Sequence, residues 1–145
     1  MLKTLCSCLA VVTALATIPA QAKTTVQYVS KPGSTKPFSP AVRVGDIVYV
    51  SGAVGYGADG SLPADFTTQA RNTMDNVAAE LKLAGATMDD VYKCQVALTN
   101  MDNWADFNTV YATYFKAGRL PVRMALGVVS LGGPAVEVQC EAALH

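Results

Sequence analysis

Arg123 and Glu137 are the two side chains of this sequence best suited to chemistry on a small anion. An arginine carries a permanent charge on a planar fork that meets a carboxylate through two parallel hydrogen bonds. A carboxyl group within reach can exchange a proton with a reacting atom or aim a water at it. Both residues fall in β-like runs, Val122 to Val128 and Val136 to Ala143, joined by the turn-rich segment Ser130 to Pro134. In the first run Val122, Met124, Leu126 and Val128 share one face, and Arg123, Ala125 and Gly127 share the other. In the second, Val136, Val138, Cys140 and Ala142 alternate with Glu137, Gln139 and Glu141. Turning both apolar sets inward leaves Arg123 and Glu137 together on an uncovered sheet face, beside the small residues Ala125 and Gly127. The same pattern admits a plainer reading, a cross-strand ion pair with no role beyond solubility.

The elements that must position this pair lie upstream. Val26 to Val29 reads as a short strand and Ser30 to Pro40 as loop. Ala41 to Val44 and Ile47 to Ser51 flank Gly45-Asp46 as a hairpin. A glycine-rich loop from Gly52 to Pro63 then hands over to a helix capped by Asp65. Its stripe is Phe66, Ala70, Met74, Val77, Leu81 and Ala84, and Gly85 ends it. Val91 to Leu98 follows as a strand with Tyr92, Cys94, Val96 and Leu98 on one face. A second helix starts at Asn100 or Asp102, with Trp104, Phe107, Val110, Tyr111, Tyr114 and Phe115 on its face and Gly118 closing it. Two amphipathic helices and one sheet predict an α+β domain with both helices on one sheet face.

Composition narrows the function. Eleven basic residues balance eleven acidic ones and no basic block occurs, which argues against nucleic acid as a partner. Lys3, the apolar run Leu5 to Ile18 and Pro19-Ala20-Gln21-Ala22 form the pattern of a cleavable secretory signal. The expectation is a signal at 1–22, a mature domain at 23–145, a periplasmic or secreted location, and no membrane association after cleavage. Cys6 and Cys8 leave with the signal. Cys94 and Cys140 read as buried apolar side chains, a cross-strand disulfide being the alternative in an oxidising compartment. Trp104, Tyr111 and Tyr114 read as core and subunit contact. Gly52, Gly55, Gly57 and Gly60 lack the spacing of a nucleotide loop, and His145, the single histidine, makes no metal site alone.

Several blocks in order resemble the YjgF/RidA family. They are Phe38-Ser39-Pro40-Ala41-Val42 with Val44-Gly45, Val48-Tyr49-Val50-Ser51-Gly52, and Gln69-Ala70-Arg71 to Asn76-Val77. Further along come Val96 to Met101 with Phe107-Asn108 and Tyr111, then Leu120 to Val128 followed by Val136-Glu137-Val138. The likeness spans about Lys36 to Ala143. It implies a fold of the chorismate-mutase type, a mixed sheet with two helices on one face, assembled as a homotrimer with clefts between subunits. It also implies an enamine or imine deaminase that hydrolyses reactive imines derived from 2-amino acids to 2-keto acids and ammonia, without metal or cofactor. On this resemblance Arg123 would bind the substrate carboxylate and Glu137 would position or activate the attacking water. Phe38, Gly52, Asn108 and Ala125 would shape the cleft. Phe38 stands where the family usually has Tyr, and Ala53 and Ala125 where it often has a polar residue and Cys, so the cleft is more apolar than usual. The alternative is a non-catalytic module of the same trimeric fold that holds a small carboxylate or acts by protein contact. RNA cleavage, another label given to the family, fits poorly with a neutral chain whose one histidine is terminal.

Overall fold

The computed structural model describes residues 24–145, so the expected signal at 1–22 lies outside the described residues. The strands are β1 (Val26–Val29), β2 (Ala41–Val44), β3 (Ile47–Val50), β4 (Ala53–Val54), β5 (Val91–Leu98), β6 (Val122–Gly127) and β7 (Val136–Ala143), and the helices are α1 (Phe66–Leu83) and α2 (Trp104–Ala112). The sheet runs β1-β2-β3-β7-β5-β6, with β4 also paired to β7. All pairs are antiparallel except β5 with β6, which are joined through α2. A parallel pair needs such a crossover, and this one makes the sheet mixed.

Local chemistry sets the helix limits. Asp65 accepts from the Thr68 backbone N–H at 2.8 Å, capping α1, and Gly85 at φ +82° allows the chain to turn out of its last turn. The stripe Ala70, Met74, Val77 and Leu81 is fully buried against the sheet, with Phe107 and Val110 of α2 beside it. A 3-10 turn at Met101–Asn103, capped by the Asn100 side chain, leads into α2. α2 stops at Ala112, short of the predicted end at Gly118. The Thr113 N–H and hydroxyl both return to the Val110 carbonyl at 3.1 and 2.7 Å, which tightens the last turn and places Tyr114 and Phe115 beyond it.

Two expectations within the sheet are corrected. Tyr92 does not share the face of Cys94. A register shift between Val91 and Lys93 puts Tyr92 on the open face, where its hydroxyl donates to Glu141 Oε2 at 2.7 Å, and buries Val91 instead. Cys94 and Cys140 are directly paired across β5 and β7, and they form a disulfide beneath the helices rather than two buried thiols. A directly opposed antiparallel pair brings its side chains close enough for that bond.

Candidate functional site

β6 is an edge strand whose register with β5 decides where Arg123 goes. Arg123 lies opposite Cys94 and therefore on the helix-covered face, where the Cys94 side chain is buried. There its guanidinium carbon sits 4.6 Å from the ring centres of both Trp104 and Tyr111 and 6.0 Å from that of Phe107. Its Nη2 donates to Asn108 Oδ1 at 2.8 Å. The rings hold the cation by their quadrupoles and the amide fixes one edge of the fork. No acidic side chain among the described residues pairs with it. Burial pushes the neighbouring Tyr111 hydroxyl up to about 12, and that oxygen has no hydrogen-bond partner among the described residues.

Glu137 lies opposite Ala97 and Val54 and points to the open face, into a cavity of about 220 Å³ bordered by Gln95, Leu126 and Gln139. It packs against Gly52: a Cβ there would overlap Glu137 Oε1 and stand 2.8 Å from Glu137 Cδ. Gly52 is thus the residue that leaves room for this carboxyl group.

Arg123 and Glu137 do not share a face, contrary to the sequence reading, and the ion pair is excluded too, because β5 lies between β6 and β7. The reason is that the apolar set of β6 is not core. Val122, Met124 and Leu126 face outward and remain 67, 47 and 49 % exposed, while Arg123 turns inward onto aromatic rings. Asn108 is beside Arg123, and Ala125 shares its face two residues on. Phe38 and Gly52 line a second cavity, of about 300 Å³, between loop 31–40 and α1. Trp104 and Tyr111, read from the sequence as core and subunit contact, are the platform for Arg123. Their spacing with Asn108 on one helix face, next to a strand bearing an arginine, was the available signal. Among the described residues, no group of three metal-ligating side chains occurs.

Comparison with known proteins places this arrangement. The endoribonuclease L-PSP family profile matches residues 28–144. A mouse 2-iminobutanoate/2-iminopropanoate deaminase is 36 % identical over 111 residues, covering 74 % of this chain and 82 % of the relative. The RutC family protein YjgH of Escherichia coli is 38 % identical over 103 residues, covering 70 % and 79 %. Crystal structures of RidA from an Antarctic Psychrobacter and of Escherichia coli TdcF with bound serine superpose with TM-scores of 0.75 and 0.74. They are 29 % and 26 % identical, covering 81 % and 82 % of this chain and 99 % of each structure. With its mixed sheet, two helices on one face and a profile match over nearly all the described residues, the chain belongs to the endoribonuclease L-PSP family of YjgF/RidA proteins.

Proposed function

We propose that the protein hydrolyses imines of 2-amino acids to 2-keto acids and ammonia, at a site where Arg123 of one chain faces Glu137 of another in a homotrimer. The observation that carries the reading is Arg123: a preorganised guanidinium with no acidic partner among the described residues, able to receive a carboxylate. The related mouse deaminase supplies the reaction class. The exposed row Val122, Met124 and Leu126 supplies a reason to associate, since an apolar face of this kind is stable when another chain covers it.

Chemically the task is light. The imine carbon is already electrophilic, so holding the carboxylate on Arg123 and a water on Glu137 replaces a random encounter by an oriented one. The water oxygen bonds to the imine carbon while the imine nitrogen gains a proton. Glu137 takes the proton the water loses and returns it to that nitrogen. The hydroxyl proton of the resulting carbinolamine then passes through Glu137 to the amino group, and the C–N bond breaks to release ammonia and leave the 2-keto acid. An enamine enters the same route after protonation at its β carbon. Substrate is then a small carboxylate-bearing imine, with no metal or cofactor required by these steps. The disulfide and the N-terminal signal pattern support a periplasmic or secreted location.

The test couples an amino-acid oxidase, which generates imines from a panel of amino acids, to semicarbazide trapping, while light scattering reports the mass. Faster imine disappearance with wild type than with Arg123→Ala, at three times the monomer mass, supports the proposal. No acceleration with any imine favours a carboxylate-binding module, the reading that the apolar Phe38, Ala53 and Ala125 would suit.

A further inference from the structure

The cavity between loop 31–40 and α1, about 300 Å³, contains a group that the chemistry above does not use. Glu80 Oε2 is buried and accepts no hydrogen bond from the described residues. Desolvation pushes this carboxyl up to about 7, against the pull of Lys36 and Lys31. A buried acceptor without a donor destabilises a fold by ~1–3 kcal/mol, and nothing in the packing of α1 calls for a carboxylate there. Lys31 and Lys36 line the same cavity and form no ion pair with an acidic side chain of the described residues, Glu80 included. Lys36 Nζ lies 5.3 Å from the centre of the Phe38 ring. Opposite charges therefore face one space without meeting. A ligand that spans them must carry a donor cation and an anion of its own, close together. Phe38, Ala53, Val54 and Ala79 supply an apolar part of the remaining wall; Ser34, Tyr56 and Asn76 also line it, the Asn76 amide being already engaged by the Val54 and Tyr56 carbonyls. The volume is at the small end of ligand sites, too small for a nucleotide and ample for one amino acid.

We infer that this cavity binds a free apolar α-amino acid as its zwitterion, the ammonium on Glu80 Oε2, the carboxylate between Lys31 and Lys36, and the side chain against Phe38, Val54 and Ala79. Through Gly52, which also packs against Glu137, the cavity adjoins the imine site, and the two are told apart by the cation that holds the carboxylate: Lys31 and Lys36 here, Arg123 there.

The experiment is titration calorimetry at pH 8 on the mature protein with L-alanine, L-valine and L-leucine, alongside N-acetyl-L-valine, which lacks the ammonium, and isobutylamine, which lacks the carboxylate. The expected result is binding of at least one amino acid, with both truncated probes ten-fold or more weaker. Glu80→Gln, which keeps the shape of the side chain, should weaken that binding at least ten-fold, as should Lys31→Ala with Lys36→Ala. Arg123→Ala should leave it unchanged. Absence of binding by all three amino acids overturns the inference, as does binding indifferent to Glu80→Gln or lost in Arg123→Ala, which would place the amino acid at the other site.

Discussion

Arg123 and Glu137 stand on opposite faces of one sheet: Arg123 is in register with Cys94 beneath the helices, and Glu137 with Ala97 on the open side. One chain therefore cannot bring both to one small ligand. The proposed site needs a second chain, and the open face with its exposed Met124 and Leu126 is the surface for it.

A charge placed on that surface should separate the chains without unfolding them. Leu126→Glu is expected to give a monomer by light scattering. Its thermal transition should lie within ~1 kcal/mol of wild type after allowance for lost association, because the side chain is exposed in the single chain. Imine hydrolysis should fall to background. An associated, active variant would show that this face is not the interface.

Gly52→Ala tests the room left for Glu137. The added Cβ meets the far end of a flexible side chain, so the fold should lose no more than ~1 kcal/mol by chemical denaturation. The carboxyl group, however, must move. Imine hydrolysis should drop at least ten-fold, and unchanged activity would show that Glu137 does not act from this position.

The Cys94–Cys140 disulfide closes a sequence separation of 46 residues. Replacing both cysteines by alanine should destabilise the protein by about 4 kcal/mol on the chain-entropy relation, read from guanidinium unfolding of the double variant against wild type. Both sulfurs are buried under the helices, so mild reductant should leave the native bond intact. A loss below ~1 kcal/mol would mean the bond constrains little of the unfolded chain.

Glu80 gives a pH signature. Its carboxyl is raised from 4.5 to about 7 by burial, with Lys36 and Lys31 opposing. The native state therefore holds this proton more tightly than the unfolded chain. The stabilisation it gives is complete below about pH 4.5 and is lost as pH rises through about 7. At pH 8, Glu80→Gln should exceed wild type in stability by on the order of 1 kcal/mol, a figure reduced for the group's partial exposure. The gap should close toward pH 4.5 in paired thermal melts. A gap that does not change with pH would contradict this assignment.

How legible these features were depends on what enforces them. The periodic stripe of α1, its Asp65 cap and the strict alternation of β7 follow from a helix and a central strand covered on the expected sides, and they stand as the sequence indicates. β6 misleads because it is an edge strand. Its apolar set resembles core while facing outward, and its arginine is satisfied by aromatic faces rather than by water. Tyr92 changes face through a bulge, which periodicity alone does not reveal. Pairing of Cys94 with Cys140 requires the register between β5 and β7, a long-range property. Glu80 is an ordinary helix residue in sequence, and only the loop folded over it makes its environment unusual.

The most direct measurement mixes two variants. Arg123→Ala and Glu137→Gln, each expected to be inactive in the imine-trapping assay, are unfolded together at equal amounts and refolded. If each site takes its arginine from one chain and its carboxylate from another, random assembly rebuilds roughly one quarter of the sites, and activity returns to about that fraction of wild type. Activity no greater than that of the separate variants would contradict a site shared between chains, and with it the proposed use of Arg123 and Glu137.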